Sequence, residues 1–329
     1  MDIIDSEFYI RGVLKGKRRI IAKTITLLES SLPRHRKIAA KVMEGILPHT
    51  GKSIRLGITG VPGVGKSTFV ENLGLSLADK GHKIAVLAVD PSSRRSGGSI
   101  LGDKTRMEKL ACHKNTFIRP SPSGETLGGV AAKTREIMLV CEAAGYDIVF
   151  VETVGVGQSE TNVAFMVDFF LALMIAGAGD ELQGIKKGVL EVADALAINK
   201  ADGDNLKRAK KARQEFEIAM HMVSPDSPSW RPPVLCCSSV LKNGTDNVWE
   251  TVLEHRKKMK QTGEFDQRRR KQALEWMWTL VYDGLKARFK ENSRIAATVP
   301  GIAARVEKEL MSPSAAAEEL LSMNSKIVN

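Results

Sequence analysis

The stretch "GVPGVGKST", Gly60 to Thr68, decides the fold of this chain. It has the form Gly-x-x-x-x-Gly-Lys-Ser, follows the apolar run "SIRLGIT" and opens the helical stretch "STFVENLGLSLAD". A glycine-rich loop in this position directs successive backbone N–H groups and a helix N-terminus at phosphate oxygens. We predict that Lys66 contacts the β- and γ-phosphates and that the Ser67 hydroxyl ligates Mg²⁺. The predicted phosphate-binding residues are Gly60, Val61, Pro62, Gly63, Val64, Gly65, Lys66, Ser67 and Thr68.

Around this loop, short runs that are apolar at nearly every position alternate with helical stretches. The runs are "IRLGIT", "KIAVLAVD", "NTFIRP", "DIVFVET", "FFLALMIAG", "DALAINK" and "PVLCCSS". Strands that are buried on both faces have this composition, which is typical of a largely parallel sheet covered by helices. The sequence therefore predicts an α/β fold built around a phosphate loop.

Helical extensions are predicted at both ends of this α/β domain. The predicted boundaries are 1–50 for an N-terminal extension, 51–262 for the nucleotide-binding domain and 263–329 for a C-terminal arm. The apolar spacing from Ile10 to Leu28 predicts one amphipathic helix, interrupted at Pro33 and followed by a short helix. In the arm, a helix is predicted after Gly263, a last helix after Pro300, and a further piece after residues 312–314.

The motif "NKAD", Asn199 to Asp202, follows the apolar run "DALAI". The Asp202 carboxylate can accept two hydrogen bonds from the N1–H and N2–H₂ groups of guanine, a pair that adenine does not present. Lys200 would lay its aliphatic stem on the base, and Asn199 would tie this loop to the phosphate loop. The later segment "CSSVLKNG" would place Ser238, Ser239 and the backbone of Val240 near the guanine O6. Behind a phosphate loop, these motifs predict GTP and GDP as ligands and a P-loop GTPase fold.

Three acidic residues are candidates for a magnesium site together with Ser67. Asp90 and Glu152 each end an apolar run, and Asp103 lies in the polar segment "SSRRSGGSILGDKT". Mg²⁺ prefers octahedral oxygen ligands and keeps several waters, so carboxylates at strand ends suit it. A solvated loop charge is the alternative for Asp103.

The segment "VETVGVGQSE" has Glu152 where common GTPases have aspartate and Val156 where many have a water-orienting glutamine. The attacking water and the charge on the γ-phosphate still need a partner. We predict that the loop "GAGDELQGIKKG", residues 177–188, supplies a cation from Lys186, so that Lys66, Glu152 and Lys186 are the catalytic residues. An ordinary solvated loop is the alternative.

Bulk properties exclude several classes of protein. The net charge of +11 is concentrated in four basic runs in predicted helices, and aromatic residues are only 5% of the chain, so nucleic-acid binding is not expected. The longest uncharged apolar run, residues 169–179, is too short to span a bilayer, and the acidic start "MDIIDSEFY" is no signal peptide. Four scattered cysteines form no disulfide framework, which favours the cytoplasm.

Together, the phosphate loop, "VLAVDPSS", "GSILGDKTRM", "SPSGETLGG", "VETVGVGQSE", "NKAD" and the helical ends resemble MeaB/ArgK-type G proteins over essentially the whole chain. These are the methylmalonyl-CoA mutase-associated GTPases, a group within the P-loop GTPases. The resemblance implies a homodimer that associates through a C-terminal arm and hydrolyses GTP with Mg²⁺. It also implies a chaperone that loads adenosylcobalamin onto the mutase and protects it from inactivation, with no tightly bound organic cofactor of its own. By position, it implies that Asp90, Asp103 and Glu152 serve Mg²⁺ and that Asp202 binds guanine.

Two alternatives remain open. A GTP-dependent kinase for a small molecule or a protein would use the same loop and metal, although no acceptor pocket or base stands out. A nickel or cobalt metallochaperone would need soft or imidazole ligands at close spacing. The six histidines are isolated, and adjacent Cys236 and Cys237 would point to opposite faces of a strand, which favours core packing for both.

Overall fold

A computed structural model describes residues 5–30, 32–89, 107–120, 127–153, 159–177, 187–222 and 227–325. The described strands are β1 (Ile54–Gly60), β2 (Ile84–Val89), β3 (Thr116–Pro120), β4 (Ile148–Thr153), β5 (Phe169–Ile175), β6 (Ala195–Asn199) and β7 (Val234–Cys236). The described helices are α1 (Ser6–Leu14), α2 (Arg18–Glu29), α3 (Pro33–Ile46), α4 (Lys66–Asp79), α5 (Glu108–Cys112), α6 (Leu127–Ala143), α7 (Ser159–Ala164), α8 (Lys187–Val192), α9 (Leu206–Met222), α10 (Thr245–Thr262), α11 (Glu264–Glu291), α12 (Ser293–Glu307) and α13 (Pro313–Ser325).

The seven strands form one sheet in the order β3-β2-β4-β1-β5-β6-β7, and each neighbouring pair is parallel. All seven predicted apolar runs are strands, so the α/β fold with a parallel sheet is confirmed. Ile58 of β1 and Ala88 of β2 both lie opposite Glu152 of β4. Because parallel strands end at the same edge, β1, β4 and β6 bring Gly60, Glu152 and Asn199 to the carboxyl edge, where ligands bind in open α/β sheets.

Alternate strand residues pack on two different faces of the sheet. On one face, Leu56 and Ile58 of β1 share a core with Phe69 and Leu73 of α4. On the other face, strand residues share a core with α1, α2, α3 and α6. The residues of this second core that come from the strands and from α2 include Val149, Val151, Ile21, Ile25 and Leu28. The N-terminal helices are thus part of the main core.

The N-terminal extension differs from the prediction in one respect. The predicted single helix to Leu28 is wrong: α1 ends at Leu14, and α2 begins at Arg18. Gly16 lies between them with a φ of 63°, a conformation that favours glycine and reverses the chain. A side chain at Gly12 would lie 2.4 Å from Ile20 Cγ2, so the two helices pack closely.

The chain divides into two compact units, Met1–Gln272 and Ala273–Asn329. The boundaries predicted at residues 50 and 262 stay a prediction. In the second unit, the predicted helix start after Pro300 is wrong, because Pro300 lies inside α12. The helix begins earlier, at Ser293, where the Asn292 side chain accepts hydrogen bonds from the backbone N–H groups of Arg294 and Ile295. No helix among the described residues is long and apolar enough to cross a membrane.

Candidate nucleotide-binding site

The phosphate loop, Gly60–Thr68, joins the end of β1 to the start of α4. Two of its glycines are required by geometry. Gly60 has a φ of 146°, and a Cβ there would lie 2.4 Å from the carbonyl oxygen of Leu173 in β5. Gly65 has a φ of 96°, and a Cβ there would lie 2.8 Å from Asn199 Nδ2. The loop is therefore held close both to β5 and to the end of β6, which only residues without a side chain allow.

Lys66 is the first residue of α4 and is buried. Its ammonium donates hydrogen bonds to the carbonyl oxygens of Gly60, at 2.6 Å, and Val61, at 3.1 Å. These contacts hold the charge over the phosphate loop, at the N-terminal end of a helix, where anions are stabilised. The arrangement suits a lysine that binds phosphate.

Ser67 and Glu152 meet at the carboxyl edge of the sheet. The Ser67 hydroxyl donates a hydrogen bond of 2.9 Å to Glu152 Oε1, and the Glu152 side chain is buried. A hydroxyl and a carboxylate are hard oxygen donors of the kind that Mg²⁺ prefers. The two side chains therefore fit a magnesium site. Asp90 and Asp103, the other predicted magnesium residues, and Lys186, the predicted catalytic cation, lie outside the described residues.

The Asn199 side chain connects three segments of the site. Its amide nitrogen donates to the carbonyl oxygen of Val64 in the phosphate loop, at 2.7 Å. Its amide oxygen accepts from the backbone N–H of Ser239, at 3.0 Å, and from the Ser239 hydroxyl, at 2.8 Å. Asn199 is almost fully buried. The contacts fix the phosphate loop relative to the segment after β7.

Cys237 makes a further contact with Asn199 that the sequence does not suggest. Its thiol donates to Asn199 Oδ1, with a sulfur–oxygen distance of 3.6 Å. Burial, and then the neighbouring Cys236, raise the pKa of the Cys237 thiol to about 12. The thiol therefore keeps its proton at neutral pH and remains a donor. Core packing is all that the sequence predicts for this cysteine, because its hydrogen bond joins residues 38 positions apart.

The residues predicted to recognise the base occupy two segments, which we call the guanine loop (Asn199–Asp202) and the base loop (Cys237–Leu241). The Ser238 hydroxyl donates to Asp202 Oδ2, which orients the carboxylate. Lys200 has a φ of 59°, an uncommon value for a residue with a side chain and one that often marks a functional site. Val240 lies at the exposed end of the base loop, with 73% of its surface accessible.

The structure thus brings the phosphate loop, Glu152, the guanine loop and the base loop together at one edge of the sheet. Among the described residues, no group of three or more His, Cys, Asp or Glu side chains could hold a metal ion. That finding leaves the metallochaperone alternative without a ligand set in the described part of the chain.

Comparison with known proteins relates most of the chain to one family. The family described as "Methylmalonyl Co-A mutase-associated GTPase MeaB" matches residues 21–294. A "Putative GTPase" of Caulobacter vibrioides is 53% identical over 319 residues, covering 97% of this chain and 98% of that protein. The mouse "Methylmalonic aciduria type A homolog, mitochondrial" is 42% identical over 320 residues, covering 94% of this chain and 77% of that protein. A solved structure, "Crystal structure of LAO/AO transport system kinase", is 38% identical with a TM-score of 0.77 and covers 98% of this chain and 100% of that one.

Proposed function

Because this chain belongs to the MeaB family of methylmalonyl-CoA mutase-associated GTPases, we propose that it is a Mg²⁺-dependent GTPase that acts as a chaperone of an adenosylcobalamin-dependent methylmalonyl-CoA mutase. In this role it would gate the loading of the cofactor and protect the mutase from inactivation. The observation that supports the GTPase part of the proposal is the hydrogen-bond network of Asn199, which joins the predicted phosphate loop to the predicted base loop. The family supports the mutase part. No membrane association and no nucleic-acid partner are proposed, and the cytoplasm is the proposed location.

The base site has the chemistry to select guanine. The Asp202 carboxylate presents two acceptor oxygens, and the Ser238 hydroxyl donates to one of them. Guanine offers two N–H donors on the edge that would face this carboxylate, whereas adenine would bring an acceptor, N1, toward it. A buried polar group left without a partner typically costs about 1–3 kcal/mol. This difference favours GTP and GDP over adenine nucleotides.

The phosphate site has the chemistry for γ-phosphoryl transfer to water. Lys66 would stabilise the negative charge of the β- and γ-phosphates, since its buried ammonium already lies over the loop. Ser67 and Glu152 would hold Mg²⁺, with Asp90 and Asp103 as the further carboxylates. When bound, Mg²⁺ neutralises the charge that develops on the phosphate oxygens. Phosphoryl transfer needs mainly such positioning and electrostatic stabilisation.

Val156 stands where many GTPases have a glutamine that orients the attacking water. We therefore propose that the enzyme hydrolyses GTP slowly alone and faster with its partner. The predicted loop of residues 177–188 is too long, because Lys187 and Gly188 belong to α8. We propose that Lys186, which immediately precedes this helix, contributes the missing cation when nucleotide and mutase are bound. A supplied cation accelerates related GTPases by roughly 10³–10⁵. Lys186→Ala and Lys187→Ala should each lower the mutase-stimulated rate without changing nucleotide affinity. If neither variant does so, Arg94, Arg95 or the mutase itself would be the source.

A homodimer that associates through α11 is part of the proposal. In the second unit, one face of α11 carries apolar side chains at helical spacing that are 39–59% exposed. They are Leu274, Met277, Trp278, Val281 and Leu285. Each of them lies three or four residues from another member of the set, which places all five on one stripe of the helix. A contiguous exposed apolar stripe of this kind usually marks an interface.

The mutase role is tested by capture from native cytosol on the immobilised chain, loaded with GDP or with a non-hydrolysable GTP analogue. A methylmalonyl-CoA mutase that binds in a nucleotide-dependent manner, and raises the hydrolysis rate when purified and added back, is the expected result. A mutase that neither binds nor changes the rate would overturn the chaperone role but leave the GTPase assignment intact.

A kinase remains the second candidate because a solved relative is named a transport system kinase. GTP labelled on the γ-phosphate separates the two activities. Release of the label as free phosphate supports hydrolysis, and transfer of the label to a protein or a metabolite supports the kinase.

A further inference from the structure

Asn72 lies in the middle of α4, six residues beyond Lys66. Asparagine is a poor helix former, because its side chain competes for backbone hydrogen bonds. The nearby residues Val70 and Leu73 are buried in the core, while Asn72 itself is half-buried. An amide in this position is therefore not explained by helix stability or by packing.

The Asn72 side chain crosses to the base loop instead. Its Nδ2 donates a hydrogen bond of 2.6 Å to the backbone carbonyl oxygen of Ser239, 167 residues away. The backbone N–H and hydroxyl of the same Ser239 donate to Asn199. Ser239 is thus held on two sides by the amides of two asparagines, one in the helix of the phosphate loop and one in the guanine loop.

These bonds close a ring through the whole site. From the phosphate loop, the ring runs through Val64 to Asn199, from Asn199 to Ser239, and from Ser239 through Asn72 back into α4. Removal of Asn72 opens the ring at the base loop and leaves the bond between Asn199 and Val64 in place. Ser239 then keeps its attachment to the guanine loop through Asn199 but loses its attachment to α4.

We propose that Asn72 is a positioning residue for guanine recognition, which fixes the base loop at the distance from α4 at which its backbone meets the guanine O6. This inference rests on the proposed guanine-binding function. Asn72 touches neither the phosphate groups nor the metal in this scheme. Its loss should therefore weaken the contact to O6 and spare the phosphate site.

The test compares wild type with Asn72→Ala and Asn72→Asp, by calorimetric titration with four ligands. GDP carries the complete base, 6-thio-GDP replaces O6 by a weakly accepting sulfur, IDP lacks the N2 amino group opposite Asp202, and pyrophosphate has no base. Ser76→Ala, one turn further along α4, is the matched control, since none of the described hydrogen bonds involves its side chain. Thermal unfolding verifies that each variant is folded.

Asn72→Ala should bind GDP up to about fivefold more weakly, the limit set by one neutral hydrogen bond that no longer orders the base loop before the ligand binds. Its preference for GDP over 6-thio-GDP should shrink, while the preference for GDP over IDP and the affinity for pyrophosphate stay those of wild type. Asn72→Asp should bind GDP more weakly still, because a carboxylate oxygen would face the Ser239 carbonyl oxygen. Binding like wild type in both variants, or an equal loss for all four ligands, would overturn the role. Wild type is also titrated with ADP, and a wild type that does not prefer GDP to ADP would instead overturn the proposed guanine-binding function.

Discussion

Arg269 and Asp168 form a two-bond ion pair at the edge of the sheet: Arg269 Nε lies 2.7 Å from Asp168 Oδ1, and Nη2 lies 2.7 Å from Oδ2. Asp168 immediately precedes β5, and its Oδ2 also accepts from the backbone N–H of Arg55 at 2.9 Å. One turn of α11 away, Gln272 donates to the carbonyl oxygen of Val167. The start of α11 is thereby attached to the amino edge of the sheet, opposite the nucleotide site.

This ion pair makes stability depend on pH. Burial alone would raise the pKa of Asp168, but hydrogen bonds from Arg269 and the charges of Arg269 and Arg55 outweigh it and lower the pKa below its ordinary 3.8. For a lowered pKa, the stabilisation is complete above the ordinary value and is lost as the pH falls through the folded-state value. The free energy of unfolding of wild type, measured with urea, should therefore decline as the pH falls below about 4.

Asp168→Asn should lower the free energy of unfolding at neutral pH by about 3 kcal/mol, because it removes the carboxylate charge that pairs with the partly buried Arg269 guanidinium. The free energy of unfolding of the variant should also decline less steeply at acid pH than that of wild type. Asp266→Asn, an exposed change in the first turn of α11, should cost less than about 1 kcal/mol. Equal losses in the two variants would contradict the importance of the pair.

Lys66→Ala should abolish GTP hydrolysis and weaken nucleotide binding without unfolding the chain. A hydrogen bond to a charged group contributes about 1.5–3 kcal/mol, which corresponds to roughly 10- to 150-fold in affinity. Single-turnover hydrolysis and equilibrium binding measure the two effects. Lys80→Ala, an exposed lysine that follows the last residue of α4, should behave as wild type. Hydrolysis at the wild-type rate by the Lys66 variant would show that the phosphate site has been assigned to the wrong residues.

Asp202→Asn should weaken GTP binding and reduce the discrimination against XTP. The amide replaces one acceptor oxygen by a donor, which opposes the guanine N–H groups and suits the C2 carbonyl of xanthine. Competition binding with GTP and XTP gives the ratio of the two affinities. Asp204→Asn, an exposed change two residues along the chain, provides the control. An unchanged ratio in the Asp202 variant would remove its role in base selection.

Trp278→Glu should convert a dimer into a monomer that still binds GTP, because the charge falls in the middle of the exposed apolar stripe of α11. Lys290→Glu, an exposed change on the same helix beyond the stripe, should leave the association state as in wild type. Sedimentation velocity measures both. A dimer that persists in the Trp278 variant at wild-type affinity would place the interface elsewhere.

The sequence predicts those features that local patterns encode. The seven strands are predictable because each is apolar on both faces, and the phosphate loop because its glycines and lysine have fixed spacing. The break between α1 and α2 at Gly16 is not predictable, since the apolar spacing continues across it. Pro300 indicates a helix boundary in the sequence, although Asn292 caps the helix eight residues earlier.

The contacts of Asn72 and of Asp168 are not predictable for a different reason. Asn72 pairs with a residue 167 positions away, and Asp168 with one 101 positions away. In the sequence, Asp168 is only the charged residue before the uncharged run of residues 169–179. Asn72 is only one polar residue in an amphipathic helix. Partners at such distances are chosen by the tertiary fold, which no local periodicity contains.

The shared core of α2 and α6 has a consequence for protein synthesis. Ile21, Ile25 and Leu28 pack in the same cluster as Met138 and Cys141, yet α2 ends at Glu29 and α6 ends at Ala143, 114 residues later. At roughly 5–20 residues per second, the ribosome needs roughly 6–23 s to make the intervening chain. During that interval the apolar side of α2 has no access to α6, so the N-terminal helices complete their packing late in translation although they are made first.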